Sequence, residues 1–251
     1  MKKSKLILYL AGLILLGNAC TDDKNPSPDE VRPEEGYITG KVTNTDGTPL
    51  KGAKIVADNT MIYASYSLGT SDENGSYKIQ LPKVGTFMTS AQIVKEYNGQ
   101  RYELDLDPDK YEELSIDGGV RNFKFKLTGP RPEGVGHYGA TIEVNKAIMT
   151  AIQDSENIEF TLEPVGNLID GSKGKTLKLK HGAPYSQDYG RIVDVPLGRY
   201  VMTAYYNGDE GKMPLKLRKH FSEDDYLSEL TIDFEPSNMW GKNIAIISYS
   251  E

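Results

Sequence analysis

The stretch that decides the fold runs from Tyr37 to Ile55 and reads YITGKVTNTDGTPLKGAKI. Apolar and polar residues alternate in Tyr37–Val42, which is the period of a strand with one buried face. Asp46-Gly47 then supplies a turn in which the glycine can take a positive φ, and the alternation resumes in Ala53–Ala57. Gly52, just before it, is expected to let the chain pass close to a neighbouring segment. The stretch therefore predicts two strands joined by a tight turn.

The same alternation continues outward from this stretch to residue 128. Asn74-Gly75 and Asn98-Gly99 are strong signals for two further turns. We expect the other strands of this part at Met61–Leu68, Tyr77–Leu81, Phe87–Tyr97, Arg101–Leu106 and Val120–Leu127. One face of each strand is apolar and the other polar, as in an antiparallel sandwich. The sequence thus predicts a β-sandwich over residues 36–128.

Residues 36–128 also resemble the carboxypeptidase regulatory-like domain. The resemblance rests on Ile38–Val42, Asp46–Ile55 and Ser71–Tyr77, followed by Leu81-Pro82 and Gly85–Phe87. It implies a transthyretin-like β-sandwich, with one extra residue between Pro82 and Gly85 that lengthens a turn. Because the matched glycines serve turns and close approaches, the resemblance predicts the fold and implies no activity.

A break follows at GPRPEG, residues 129–134, which predicts a linker over residues 129–137. Beyond it, residues 138–251 are predicted to form a second β-sandwich, transthyretin- or Ig-like. We expect strands at Tyr138–Ile148, Ile158–Pro164, Thr176–Leu179, Arg191–Val195, Arg199–Tyr206, Leu215–Leu217 and Leu230–Phe234. The apolar segment Asn243–Tyr249 is expected to add a last edge strand.

A weak internal repeat favours duplication. Leu81–Ala91 (LPKVGTFMTSA) is similar to Val195–Ala204 (VPLGRYVMTA), and each copy follows a glycine-led strand. The alternative is a convergent strand-turn-strand within another β-fold. The predicted fold class is therefore all-β, with two antiparallel sandwiches in tandem.

The amino terminus has the three parts of a secretory signal peptide. Lysines at positions 2, 3 and 5 precede the apolar run Leu6–Leu16, and small residues follow at Gly17 and Ala19. The apolar run is too short for a stable membrane span. We therefore predict a signal peptide over residues 1–19.

The chain's single cysteine comes directly after this segment. Ala19-Cys20 resembles the core of the lipobox of bacterial lipoproteins, while Gly17 and Asn18 depart from the usual pattern. The resemblance implies cleavage between Ala19 and Cys20 and acylation of Cys20, with palmitate among the acyl chains. Several chains together give a stable anchor, so a membrane partner is expected through lipid. The alternative is an ordinary cleaved signal with an incidental cysteine.

Residues 20–35 are predicted to be a lipidated, flexible tether. The segment is rich in proline and acidic residues, and Val31 is its one aliphatic side chain. Thr21-Asp22-Asp23 resembles the acidic export signal of some Gram-negative lipoproteins, which implies a location on the outer face of the cell outer membrane. A generic polar linker is the alternative.

The charge of the chain argues against nucleic acid as a partner. The 29 basic and 36 acidic residues give a net charge of −7. Cleavage before Cys20 removes three lysines, so the mature chain has 29 − 3 = 26 basic residues and a net charge of 26 − 36 = −10. Non-specific binding to nucleic acid requires a basic surface instead.

The sequence offers little material for catalysis or metal binding. One cysteine and three histidines, at positions 137, 181 and 220, leave few ligands. His220-Phe-Ser-Glu223 has the His-x-x-Glu spacing of a metal site, but no further histidine follows it. The acidic stretch Asp105–Glu113 is expected to be a solvated loop, with an irregular calcium site as the alternative. We expect no catalytic residues, no metal, no cofactor and no enzymatic activity.

Aromatic side chains are the remaining functional material. The chain has 16 tyrosines and one tryptophan, and Tyr205, Tyr206 and Trp240 are our candidates for stacking on a ligand. An exposed aromatic ring presents a flat apolar face suited to sugar rings, although tyrosine is also simply a good strand former. The sequence predicts a non-catalytic surface lipoprotein, an accessory or binding module in polysaccharide capture and utilisation, with a glycan or surface protein as its partner. The alternative is a structural or adhesion protein whose sandwiches act as spacers, and a small hydrolase is the least favoured reading.

Overall fold

The computed structural model describes residues 34–251, and almost all of its regular structure is β. The strands of the first half are β1 Tyr37–Thr43, β2 Lys54–Asn59, β3 Tyr66–Thr70, β4 Ser76–Gln80, β5 Phe87–Tyr97, β6 Gln100–Asp105, β7 Asp107–Pro108, β8 Gly118–Val120 and β9 Phe123–Lys124. Those of the second half are β10 Ala140–Lys146, β11 Ile158–Pro164, β12 Leu177–Leu179, β13 Arg191–Val195, β14 Tyr200–Gly208, β15 Gly211–Lys219, β16 Leu230–Ile232, β17 Glu235–Asn238 and β18 Gly241–Ser250. The predicted all-β fold class is confirmed.

The first half contains two sheets. One has the strand order β3-β2-β5-β6, and the other has the order β4-β1-β9-β7, with β8 also paired to β1. Alternate residues of these strands are buried, as the period of two requires. The largest buried apolar side chains of this half are Ile38, Ile55, Tyr77, Ile79, Phe87, Tyr102, Phe123 and Phe125. Complete burial of such a side chain contributes ~1.5–3 kcal/mol, so this core is the main stabilising contribution of the half.

The second half forms a nine-stranded sheet in the order β12-β11-β14-β15-β18-β10-β13, with β16 on β14 and β17 on β18. Strand β15 connects its two groups of strands. Residues 211–215 of β15 pair with β14, and residues 216–219 pair with β18. A strand that changes partners along its length is how β-structures turn a corner.

Strand pairing in the second half repeats that of the first. β10 pairs with β13 as β1 pairs with β4, and β11 pairs with β12 and β14 as β2 pairs with β3 and β5. In both halves a late strand runs parallel to the first one, β9 beside β1 and β18 beside β10. The similar segments Leu81–Ala91 and Val195–Ala204 lead into the equivalent strands β5 and β14. The weak sequence repeat therefore coincides with a repeated topology.

The carboxyl-terminal segment differs from its prediction as an edge strand. β18 lies inside the sheet, parallel to β10 on one side and antiparallel to β15 and β17 on the other. Most of Asn243–Tyr249 is buried. A near-continuous apolar run is what a strand with neighbours on both sides and both faces covered requires, so the run of isoleucines indicates an interior strand.

Three local predictions are also corrected. The third strand begins at Tyr66 and not at Met61, because the Asn59 side chain accepts the N–H groups of Met61 and Ile62 and so turns the chain. The predicted strand Val120–Leu127 is divided into β8 and β9 by the buried Arg121. Gly52 has a φ of +80°, and no atom lies within 4 Å of the point where a Cβ would stand, so this glycine serves a left-handed turn and not a close approach.

The predicted linker, residues 129–137, is an ordered loop. Pro130 and His137 form a β-bridge, and the Tyr138 N–H donates to the Gly129 carbonyl over 2.9 Å. The carboxylate of Asp194 accepts the N–H groups of Gly129, at 2.9 Å, and of Gly139, at 3.1 Å. The segment is thus fixed to the β13 end of the second half.

The two halves are joined by hydrogen bonds, of which the one from Tyr102 is buried. The Tyr102 hydroxyl donates to the Phe234 carbonyl over 2.6 Å. The Tyr97 hydroxyl donates to the Asn167 carbonyl over 2.8 Å and accepts the Arg199 N–H over 3.0 Å. Residues 34–251 accordingly belong to one compact unit.

The predicted signal peptide, the Ala19-Cys20 cleavage site, the acylation site Cys20 and most of the predicted tether lie outside the described residues. At the carboxyl end of that tether, Glu34 forms a β-bridge with Tyr37, and its carboxylate accepts a hydrogen bond from Lys78 Nζ at 2.7 Å. Among residues 34–251, no helix has the length and apolar character needed to cross a membrane.

Candidate functional site: an aromatic cleft

Trp240 is held at the tip of the β17–β18 turn. The Asn238 side-chain oxygen accepts the N–H groups of Trp240, at 2.8 Å, and of Gly241, at 3.1 Å. The Asn238 amide in turn donates to Glu235 over 2.8 Å. This local network fixes the turn, while the Trp240 side chain remains 53% exposed. A large aromatic ring is therefore presented to solvent by a well-ordered support.

A second exposed ring lies against Trp240. Phe221 follows β15 and is 71% exposed, and its ring lies 6.2 Å from that of Trp240 with an angle of 15° between the planes. Phe221 also makes an edge contact with His220, at 4.6 Å between ring centroids. The His220 Nδ1 atom is 2.6 Å from Ser248 Oγ on β18, which ties this loop to the sheet.

These rings border an open cleft of about 650 Å³, which we call the aromatic cleft. Its floor is formed by residues 244–247 of β18, and its aromatic and apolar wall by His220, Phe221, Met239 and Trp240. Polar side chains at the rim include Gln100 from the first half, together with Lys219, Asp233 and Glu235. A cleft of this size with aromatic walls and a few polar groups is typical of a small-ligand site.

Two of the polar side chains at the rim, Asp233 and Glu235, already form hydrogen bonds within the protein. Asp233 accepts three hydrogen bonds from the Arg199 guanidinium, two of 2.9 Å and one of 3.1 Å, and a fourth at 3.2 Å from Asn98. This pairing with Asp233 raises the pKa of Arg199 above its ordinary value. Glu235 keeps one carboxylate oxygen on Asn238. The rim therefore offers carboxylate oxygens that are held in place by these hydrogen bonds.

The structure does not bring the three predicted stacking residues together. Tyr205 and Tyr206 lie on β14 and do not line the aromatic cleft. The Tyr205 ring is covered by Lys212 Nζ, 4.2 Å from its centroid. The Tyr206 hydroxyl donates to Asp154 over 2.6 Å, and this bond is the main reason that its pKa is raised to about 12. Trp240 alone of the three is a wall of the cleft.

Sequence reasoning did not identify Phe221, His220 and Met239 as partners of Trp240. The signal was the occurrence of large apolar residues inside polar turn segments, HFSEDD at 220–225 and SNMWG at 237–241. Their meeting depends on the β15–β18 pairing, which brings residue 219 opposite residue 247. That pairing is not readable from either segment alone.

The side chains that could bind a metal or act in catalysis are not grouped into a site. Ser248, the hydrogen-bond partner of His220, is 2% exposed, so its hydroxyl is not accessible as a nucleophile. In the acidic stretch, Asp105 pairs with Arg131 at 2.7 Å, Asp107 with Lys126 at 2.6 Å and Asp109 with Asn122 at 2.8 Å. Within residues 34–251, no three His, Cys, Asp or Glu side chains are grouped so that they could hold a metal ion.

Comparison with known proteins gives distant likenesses alone. No protein-family model matches the chain, and no curated protein matches it. Among solved structures, the chain is similar to the Bacillus anthracis TIE protein, with a TM-score of 0.30, 16% identity, and coverage of 87% of this chain and 35% of that one. It is similar to a streptococcal ancillary pilin, with a TM-score of 0.26, 12% identity, and coverage of 84% and 61%. A third is a leucine-rich repeat protein from Bacteroides thetaiotaomicron, with a TM-score of 0.25, 12% identity, and coverage of 86% and 26%.

The chain thus spans between about a quarter and three-fifths of the length of these three solved structures. Pilus proteins recur among these likenesses, including the adhesin SpaC from Lactobacillus rhamnosus GG, with a TM-score of 0.26, 8% identity, and coverage of 86% of this chain and 28% of that one. At these TM-scores the likenesses assign neither a family nor a function to the chain.

Proposed function

We propose that this chain is a non-catalytic cell-surface lipoprotein whose aromatic cleft binds carbohydrate. The observation that carries the proposal is the exposed, nearly parallel pair of rings of Phe221 and Trp240 beside an open cleft. Large aromatic side chains are usually buried in a folded domain, whereas here both rings remain exposed. Exposed aromatic groups grouped in this way mark interaction sites.

Carbohydrate fits the chemistry of the cleft. A pyranose ring has an apolar C–H face that stacks on an aromatic ring and hydroxyl groups that require hydrogen-bond partners at its edge. The cleft supplies both, with the two rings on its wall and Gln100, Lys219 and Glu235 at its rim. The acidic balance of the chain disfavours highly anionic ligands, since the mature chain carries a net charge of −10 by the count above.

The binding proposal is tested by a glycan array followed by calorimetry on the glycans that bind. We expect Trp240→Ala to weaken binding by about tenfold or more, and Trp240→Phe to retain part of it, because a smaller ring still stacks. Tyr111→Ala is the matched control, since Tyr111 has a similar exposure of 48% and does not line the cleft. Failure to bind any polysaccharide, or equal binding by Trp240→Ala, would refute the proposal.

A structural or adhesive role is the second candidate, supported by the fixed connection of the two halves. Tyr97 and Tyr102 make hydrogen bonds to backbone groups of the second half, and Arg199 and Asp233 form a bidentate pair beside them. A spacer has to transmit force without separation of its parts, and hydrogen bonds and ion pairs at the join, the buried Tyr102 bond above all, resist such separation. Loss of cell attachment in a strain that lacks the chain, without glycan binding by the purified protein, would favour this candidate.

A further inference from the structure

Strand β3 is an edge strand whose outer side is unpaired. It lies at the end of the order β3-β2-β5-β6 and pairs with β2 alone. The backbone N–H of Ser71 donates to the Ala53 carbonyl, and the Ser65 carbonyl accepts the backbone N–H of Asn59. The odd-numbered residues of this segment therefore form their backbone hydrogen bonds with β2. Because successive residues of a strand bond to opposite sides, the N–H and C=O groups of Tyr66, Leu68 and Thr70 point outward.

The composition of β3 leaves this edge unprotected. Its sequence YSLGT has no charge and no proline. Its outer face exposes Tyr66 by 58% and Leu68 by 65%. Natural edge strands are normally guarded against pairing by charge, proline, irregular backbone or shortness. Strand β3 has none of these features over five residues.

The other edges of the described sheets are guarded. β7, β8, β12 and β16 have only two or three residues each. The longer ones carry charge, proline or a left-handed residue: Lys78 in β4, Arg101 and Glu103 in β6, Arg191 and Asp194 in β13, and Glu235 and Pro236 in β17. Within residues 34–251, β3 is thus the longest edge without such a guard.

From these observations we propose that β3 pairs with β3 of a second copy of the chain, antiparallel and centred on Leu68. This register joins two four-stranded sheets into one continuous sheet through a two-fold interface. Leu68 faces Leu68 of the second copy, and Tyr66 faces Thr70. All three pairs present their outward N–H and C=O groups to each other, so each exchanges two hydrogen bonds. The proposal does not depend on the function of the aromatic cleft.

Charge on the neighbouring strand selects this arrangement. Opposite β3 in β2, Asp58 pairs with Tyr66 and Lys54 pairs with Thr70. Antiparallel pairing places Asp58 in one row with Lys54 of the second copy, whereas parallel pairing would align like charges in the same row. The Cα atoms of the two residues would be three strand spacings, about 14 Å, apart, and the long Lys54 side chain can bring its charge to within about a Debye length of the Asp58 carboxylate. Lys54 and Asp58 have no ion-pair partner in residues 34–251. The edge is therefore complementary to itself.

The outer face also matches itself across the proposed interface. Val56 lies beside Leu68 on the same face and is half-buried. In the two-fold arrangement the central row reads Val56, Leu68, Leu68 and Val56, which forms a continuous apolar stripe. The contact is limited to one strand from each copy, so we expect weak, concentration-dependent dimerisation and not an obligate dimer.

The proposal is tested by sedimentation analysis of the full chain over a range of concentrations. We expect a monomer–dimer equilibrium and a dissociation constant about tenfold higher or more for Leu68→Lys, because two lysines would then face each other at the two-fold axis. Val84→Lys is the matched control, since Val84 is also apolar and 60% exposed but lies outside β3, and it should dimerise like the unmodified chain.

Amide hydrogen exchange provides an independent readout of the interface. Exchange at Tyr66, Leu68 and Thr70 should slow as the concentration rises, because their outward N–H groups become hydrogen-bonded in the dimer. A monomer at every concentration, or an equal dissociation constant for Leu68→Lys, would overturn the proposal. A dimer without protection of these three amides would equally overturn it, since the interface would then lie elsewhere.

Discussion

The hydroxyl of Tyr102, on β6 of the first half, donates a hydrogen bond of 2.6 Å to the backbone carbonyl of Phe234 in the second half. Both residues are buried, with Tyr102 1% exposed and Phe234 1% exposed. Burial raises the pKa of Tyr102 to about 12, so this hydroxyl remains a donor throughout the neutral range. The bond is one of the contacts that make the two halves a single compact unit.

Tyr102→Phe tests the importance of this bond for stability. The variant keeps the ring but leaves a buried carbonyl without its hydroxyl donor, which costs about 1–3 kcal/mol in the free energy of unfolding. Urea denaturation measures the change. Tyr111→Phe removes a hydroxyl from an exposed ring and should change the stability by less than about 0.5 kcal/mol. Equal stability of the two variants would show that the bond contributes nothing across the join.

Asp194 holds the segment between the halves and does so with an unusual backbone. Its φ is +61°, and its carboxylate accepts the N–H groups of Gly129 and Gly139. Asp194→Ala loses both acceptors and retains the strained conformation, so we expect a destabilisation of about 2–4 kcal/mol. Asp194→Asn tolerates the left-handed conformation and keeps one acceptor oxygen, so its loss should be smaller. Thermal unfolding of both variants checks the order, and the reverse order would contradict this role of the carboxylate.

The alternation of residues was sufficient to predict the fold class and most of the strands. Phe87–Tyr97, Ile158–Pro164 and Arg191–Val195 have the predicted bounds, because each has one clearly apolar face and a turn at either end. The predicted strand at Val120–Leu127 was wrong where Arg121 interrupts it. This side chain is 1% exposed, and its guanidinium donates to the Glu112 carbonyl over 2.9 Å. A contact between a buried charge and the preceding loop has no signature in the alternation of apolar and polar residues.

The candidate site was less predictable than the fold. Trp240 could be singled out as a large ring in a polar turn, but Tyr205 and Tyr206 could not be separated from it by sequence. Their difference is in their neighbours: Tyr205 lies under Lys212, Tyr206 bonds to Asp154, and Trp240 meets Phe221. Which rings remain available depends on strand pairing between distant segments, and pairing is a property of the whole sheet.

Cys20→Ala tests the predicted lipid anchor, which lies outside the described residues. We expect the variant to leave the membrane fraction, because a mature chain with a net charge of −10 by the count above has no electrostatic attraction to anionic lipid. Cell fractionation and intact mass measure the loss of the anchor and of its acyl groups. Ser4→Ala, within the signal peptide, is the control and should remain with the membrane. Retention of Cys20→Ala in that fraction would refute acylation at this residue.

The Tyr206–Asp154 pair makes a prediction about pH. The hydrogen bond from Tyr206 is the main cause that lowers the pKa of Asp154, with a further bond of 2.7 Å from Asn157. A folded-state pKa below the unfolded value means that the pair stabilises the fold above the unfolded pKa, and that this contribution is lost as the pH falls through the folded value. At the alkaline end, the raised pKa of Tyr206, about 12, means that its contribution is lost as the pH rises through that value.

Tyr206→Phe removes the donor and should raise the pKa of Asp154 towards its ordinary value, without restoring it fully, because Asn157 still donates. Carboxyl-carbon NMR during an acid titration measures this pKa directly. Tyr205→Phe is the matched control, since it changes the neighbouring residue. In this variant the pKa of Asp154 should be the same as in the unmodified chain. If Tyr206→Phe leaves the Asp154 pKa where it was, the hydrogen bond between Tyr206 and Asp154 does not form in solution.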